Sequence, residues 1–289
     1  MPTRESVSGT DRVLRPVRWL AAFILPFLLI AATMLVFLPG RIAELFAWPI
    51  KPPLTGMILG SAYIGGIIFF AAVLRTGQWH RVRRGFLPVF VFASLLGVAT
   101  ALHEGLFTRN LSFFAWAVLY ASTPFLVAAA ALAQRRADPR LLGPRDVLIP
   151  DHVARALVGV GGVATLTGLV MFVFPALFIQ SWGWDLTPLT ARTLGAVLSL
   201  TGFVNAPMVV DRRWSSYRIL FAAQLVSLVF ILASVAVGSS DVHWERPAAW
   251  AFVTLVLLAL VSYGALTVWA ELRLRRAGAS AGTTAERFG

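Results

Sequence analysis

Residues 53–74 read PLTGMILGSAYIGGIIFFAAVL, a run opened by a proline and free of any charge. A helix of this length crosses the hydrocarbon core of a bilayer, which takes about 20 apolar residues. On either side lie seven more such runs: Trp19 to Leu38, Gly85 to Leu102, Leu111 to Ala133, Ala156 to Phe178, Thr193 to Val210, Ile219 to Val237 and Ala248 to Ala270. The periodicity and length predict an all-α integral membrane protein with eight transmembrane helices. Composition agrees, since 58% of the 289 residues are hydrophobic and 13% charged, against about 45 to 50% and about 25% in a soluble domain. The absence of cysteine excludes disulfides, thiolate metal sites and a cysteine nucleophile. The first run follows four arginines but continues to Leu38 without a small-residue cleavage site, so it reads as a span and not as a signal peptide.

Basic residues set the expected orientation, because positive charge beside span ends is retained in the cytoplasm. Of the 25 lysines and arginines, 20 fall on one side: the N-terminal tail, the loops after spans two, four and six, and the C-terminus. The other five are Arg41, Lys51, Arg109, Arg192 and Arg246. Both termini are expected in the cytoplasm. The acidic residues leave the outer side neutral, so the whole net charge of +12 is cytoplasmic. That excess reads as topology determination and not as nucleic-acid binding. All ten tryptophans but Trp116 lie in loops or near span ends, where an aromatic belt is expected.

The opening stretch recurs. A shift of 135 residues lays Pro53-Leu54-Thr55-Gly56-Met57-Ile58-Leu59-Gly60 on Pro188-Leu189-Thr190-Ala191-Arg192-Thr193-Leu194-Gly195, with five of eight positions identical. The same shift pairs Trp79 with Trp214 and Arg83 with Arg218, while Pro39 meets Pro175 and Trp48 meets Trp184 at a shift of 136. The chain is therefore expected to be two parallel four-helix repeats, related by an axis along the membrane normal. The expected division is a disordered cytoplasmic tail over 1–18, repeat one over 19–133, a cytoplasmic linker over 134–155, repeat two over 156–277 and a disordered tail over 278–289. Thr187-Pro188 and Pro52-Pro53 look like helix starts. Gly56 to Gly60, with its counterpart Ala191 to Gly195, marks a close packing seam.

Chemistry-bearing residues are scarce. No span interior carries Asp, Glu, His, Lys or Arg, which argues against a pump coupled through midplane carboxylates. Asn205, two residues before Pro207, reads as a satisfied kink, with Gln224, Tyr63, Tyr120 and Tyr263 the other polar groups at depth. The outer loops hold His103-Glu104 and Asp241, His243 and Glu245. An imidazole beside a carboxylate suits proton transfer or a metal, but His103-Glu104 lacks a second histidine at Phe107, so no metal site is expected. Asp185 and Arg192 read as an interface salt bridge and Lys51, the only lysine, as a headgroup anchor. Phosphate-binding loops, G-x-S-x-G elbows and Ser-x-x-Lys are absent, and no cofactor is expected.

At Trp48-Pro49-Ile50-Lys51-Pro52-Pro53-Leu54-Thr55 and at Trp182 to Arg192, the chain resembles a family of uncharacterised bacterial membrane proteins carrying W-P-I-K-P-P-x-T and W-P-W-x-L-T-P-L-T-A-R. Gly183 stands where that family has proline. Ala101 to Phe107 is similar to its T-L-x-H-x-D-x-F stretch, with the acidic residue displaced. The resemblance implies the fold and a bacterial inner membrane, and carries no activity.

The favoured function is a non-catalytic module binding lipid, a small apolar ligand or a protein partner in the membrane. Transport of a small solute or lipid is the first alternative and an outer-face enzyme using His103 or His243 the second. The candidate ligand site is an outer pocket of Arg192, Lys51, Asp185, His103, Glu104, His243 and Glu245. In it the helix N-termini receive an anionic headgroup framed by Trp48, Trp182 and Trp184.

Overall fold

The computed structural model describes residues 11–138, 140–143 and 146–286, with side chains described as far as Arg276. Eight long helices carry the fold: α1 Arg15–Ala32, continued by a π-helical turn Thr33–Phe37, α2 Pro53–Arg75, α3 Phe86–Leu102, α4 Leu111–Ala133, α5 Asp151–Val173, α6 Pro188–Asn205, α7 Trp214–Val237 and α8 Pro247–Glu286. Among the described residues two isolated bridges, Leu148 to Arg213 and Trp184 to Val242, are the only extended pairing. Among the described residues seven helical segments, all of these but α6, are long and apolar enough to cross a membrane. This is the architecture of a multi-pass membrane protein.

Several boundaries differ from the hydropathy reading. Helix α5 starts at Asp151, five residues before the expected Ala156, because Pro150 sets its entry and Asp151 lies in the first turn, where a carboxylate complements the helix dipole. It ends at Val173, not Phe178, with Phe174 (φ −119°) as its C-cap, since the residue before a proline is driven out of the helical region. Helix α6 starts at Pro188 with a reciprocal cap: the Thr187 hydroxyl accepts from Thr190 N–H at 3.2 Å and Thr190 Oγ1 accepts from Thr187 N–H at 2.7 Å. No side chain caps the corresponding start at Pro52. Helix α6 gives way after Asn205 to a 3₁₀ turn, Ala206–Val209, at Pro207, whose missing N–H interrupts the α ladder.

The two tails also differ. Residues 1–10 lie outside the described residues, but Asp11–Arg18 are ordered: Val13 N–H donates to Gly77 O at 3.0 Å and α1 begins at Arg15 with Pro16 in its first turn. At the other end α8 runs through Gly278 to Glu286, a stretch with no proline to stop it. The linker is tied down as well. Gln134 donates to Arg12 O at 2.7 Å and accepts from Leu14 N–H at 3.2 Å, and Trp214 N–H donates to Val147 O at 2.8 Å.

Packing places α2 and α6 at the centre. Helix α1 lies along α2 and α5 along α6; α3 packs on α6, α7 on α2, and α4 and α8 flank α3 and α7. Helix α6 is covered on most sides, with Thr190, Thr193, Ser199 and Asn205 all buried. Its contact with α5 is backbone on backbone: a β-carbon at Gly195 would lie 2.4 Å from Gly168 O, and one at Gly168 the same distance from Gly195 O. In α2, a β-carbon at Gly60 would meet Val36 Cγ2 at 2.6 Å. Small residues at such seams let helices approach closely in lipid, where dispersion and not hydrophobicity drives association.

The tryptophans correct the belt reading. Trp48, Trp79, Trp182, Trp184 and Trp214 are buried, while Trp19, Trp244 and Trp250 are exposed. Trp48 stacks edge-on with Phe46, Phe107 and Trp116 at 4.9, 5.1 and 4.8 Å, and Trp184 with Trp182 and Phe252 at 5.5 and 5.1 Å. They plug the bundle ends from within, because a loop that folds back over a helix bundle carries its aromatic side chains into the core.

Candidate functional site

Three places hold polar groups in unusual surroundings: the end opposite the arginine-rich loops, the arginine-rich end, and the interior. At the first, His103 follows the last residue of α3 and Arg192 lies in the second turn of α6. Arg192 Nη1 and His103 Nε2 are 2.6 Å apart. Since a guanidinium only donates, His103 accepts at Nε2 and is neutral with its proton on Nδ1. Partial burial, and then the charge of Arg192, hold the imidazole below its ordinary pKa. Asp185 lies elsewhere: its Oδ1 takes His243 Nε2 at 2.9 Å and stands 4.0 Å from Arg246. Glu245 is 3.5 Å from His243 Nδ1.

The expected outer pocket is thereby divided. Arg192 with His103 forms one pair and Asp185, His243 and Glu245 form another, so the expected Asp185–Arg192 bridge is replaced by two separate contacts. The reason is that Arg192 lies a turn inside α6, which packs on α3, while Asp185 stays in the preceding loop beside His243. Lys51 and Glu104 are exposed. Trp48 and Trp184 are buried in the plugs, and Trp184 donates to Thr55 Oγ1 at 2.9 Å. Among the described residues no group of three or more His, Asp or Glu is placed to hold a metal ion.

The arginine-rich end holds what the sequence reading passed over. Asp138 from the linker accepts from Arg83 Nη1 and Arg213 Nη2, each at 2.6 Å. Asp211 accepts from Arg84 Nη2 at 2.8 Å and Arg213 Nη2 at 2.9 Å. The Asp138 side chain is 0% exposed and those of Asp211 and Arg213 are 7% exposed. Burial pushes both carboxyls up, but the hydrogen bonds and charges of Arg213, Arg83 and Arg84 outweigh it and hold them below the usual carboxylate range. Arg213 is raised, chiefly by its hydrogen bonds to Asp211. The available signal was acids set among arginines, Asp138 after Arg135-Arg136 and Asp211 before Arg212-Arg213; counted only for topology, it went unread.

A half-open cavity of about 170 Å³ lies between the first four helices and the last four, bounded by α1, α2, α3 and α4 on one side and α6 and α7 on the other. Its walls are mostly apolar, with Tyr63, Tyr120, Thr123, Thr201, Gln224 and Ser227 contributing polar groups. The Tyr63 and Tyr120 hydroxyls are 2.7 Å apart. Thr123 Oγ1 and Gln224 Oε1 are buried with no partner among the described residues. Asn205 is satisfied, its amide bonded to Leu157 O at 2.9 Å and to the Tyr263 hydroxyl at 2.8 Å, so it ties α5, α6 and α8 together.

Comparison with family models, curated proteins and solved structures finds no match.

Proposed function

We propose that the protein is a non-catalytic, membrane-embedded binding module, built as a tandem duplication, that receives a small apolar molecule between its halves. The cavity carries this reading. A dry apolar cavity of about 150 Å³ accepts benzene or xenon, and this one adds unpaired Thr123 and Gln224 oxygens able to orient a guest with one donor. Binding of fluorobenzene by the detergent-solubilised protein, read by ¹⁹F NMR, tests it. Ala93→Leu, which fills the cavity wall, is expected to abolish binding without lowering the melting temperature. Absence of binding by the unmodified protein, or equal binding by the variant, rejects the reading.

Duplication is supported by contacts that recur at the same shifts. Trp79 and Phe86 are 4.8 Å apart, Trp214 and Phe221 5.6 Å. Asn110 donates to Phe46 O at 3.1 Å and Arg246 to Trp182 O at 2.9 Å. Thr108 N–H donates to Ala47 O at 2.9 Å and His243 N–H to Gly183 O at 2.7 Å. In this reading α6 is the eighth span, and it tolerates threonine, serine and arginine because protein and not lipid surrounds it. Four spans per copy make the repeats parallel, and the arginine-rich end is cytoplasmic. The resemblance to bacterial membrane proteins supports an inner-membrane location.

Transport is the second reading, favoured by the exchange of partners in which α3 packs on α6 and α7 on α2, the arrangement that rocking of two repeats requires. Cysteine pairs across the cavity, introduced into this cysteine-free chain and spin-labelled, would show two distance populations in a carrier and one in a static module. Because His103 and His243 engage different partners, the enzyme reading has no assembled site to support it.

A further inference from the structure

Between α3 and α4, at their arginine-rich ends, runs a groove of about 470 Å³. Its two ends differ in chemistry. Arg83, Arg84, Arg135 and Arg140 line one part, while Leu87, Phe90, Val127 and Leu132 line the rest. Leu87, Phe90 and Leu132 are exposed on the flank of the bundle, 45%, 37% and 63%, where hydrocarbon would lie against them. Asp138 and Asp211 serve three arginines between them, so the ion cluster is one positive charge in excess. The Arg135 and Arg140 side chains are exposed and form no ion pair among the described residues, although Arg140 N–H donates to Asp138 Oδ1 at 2.8 Å. Arg84 and Arg140 both repel Arg83, and Arg84 Nε is buried without an acceptor among the described residues.

Positive charge thus converges at one end of an apolar trough, and an acceptor is wanting there. We propose that this groove is a site for an anionic phospholipid, with the phosphate among the arginines and an acyl chain along Leu87, Phe90, Val127 and Leu132. Guanidinium groups bind phosphate through paired, charge-assisted hydrogen bonds. Basic pockets between helix ends at the membrane surface hold such headgroups. A free phosphate would leave the apolar part uncovered, and a zwitterionic lipid would bring a cation into a region already in positive excess. The proposal is independent of the interior cavity, which lies deeper and is bounded by different side chains.

The experiment is native mass spectrometry of protein reconstituted in vesicles of equal phosphatidylglycerol and phosphatidylcholine and released into mild detergent. The unmodified protein is expected to retain phosphatidylglycerol in preference, and Arg135→Gln with Arg140→Gln to lower that retention about tenfold or more. Both side chains are exposed and unpaired, so the melting temperature should hold. Ala128→Trp, which blocks the trough, should lower retention equally, and added inorganic phosphate should leave it unchanged. Equal retention of the two lipids by the unmodified protein overturns the proposal whatever the variants do. So does full retention in either variant, or displacement of the lipid by inorganic phosphate.

Discussion

The two ends of the bundle handle charge in opposite ways. At the arginine-rich end, Asp138, Asp211 and Arg213 are withdrawn from solvent and, with Arg83 and Arg84, tie three loops together. At the other end Asp185 and Glu245 keep 76% and 73% of their side chains exposed, and the histidine between them keeps 34%. The first arrangement fixes loops, because a buried ion survives only with all its partners in place. The second contributes little, since water and salt screen exposed pairs. What closes the second end is aromatic packing around Trp48 and Trp184. One end is held by directional bonds and the other by shape, although both close the same kind of helix bundle.

The sharpest way to break that contrast is Asp211→Asn. It leaves Arg84 without an acid and Arg213 with Asp138 as its one remaining carboxylate, and is expected to cost about 3 to 5 kcal/mol, measured by denaturation in detergent; a loss near zero would mean that the cluster is hydrated and loose. Trp184→Ala at the opposite end should cost about 3 kcal/mol, nearly as much, through lost packing together with the bond to Thr55. A cost near zero there would remove the aromatic plug as the closing element.

Acid separates the ends further. Asp138 and Asp211 have carboxyls held below their ordinary value of 3.8, so their contribution is complete above about pH 4 and lost as pH falls through the depressed value. His103 is also held below its ordinary 6.5. Its contribution is complete above that value and lost as pH falls through the lowered one. A stability profile should therefore begin to fall below about pH 6.5 and fall again below about pH 4, the first fall absent in His103→Gln. The Arg192→Met variant sharpens this, because removing the cation should raise the His103 titration seen by NMR toward 6.5. Smallest of all, Asp185→Asn should change stability by no more than about 0.5 kcal/mol after screening, and a larger loss would show that His243 closes this end after all.

The helices were legible because a bilayer imposes a length and a polarity that a linear sequence records directly. Pro53–Arg75 and Leu111–Ala133 start where their apolar runs start. Asp151 and Pro188 both precede their apolar runs for one reason: hydropathy registers the lipid-facing part of a helix, while the helix itself begins at its cap, which Thr187-Pro188 displays in the sequence and Pro150-Asp151 does not. The expected pairing of Arg192 with Asp185 fails because Arg192 stands a turn inside α6, within reach of His103. At the position that the shift of 135 equates with Arg192 stands Met57, beside Gly238, where a β-carbon would lie 3.1 Å from Met57 Cε. Arg192 and His103 therefore put a polar contact where the other half has an apolar one, and no single stretch of sequence displays that substitution of partners.

By itself the sequence determined that the chain is helical, that it suits a membrane, and that its positive charge gathers beside particular loops, because these follow from the composition and period of contiguous residues. Tertiary structure decided which charges are buried, which tryptophans face the core, and where an interior cavity and a basic groove open. Those depend on residues far apart in the chain, such as Asp138 and Arg213 or Tyr63 and Tyr120, whose energies of desolvation and packing are set only when distant helices meet.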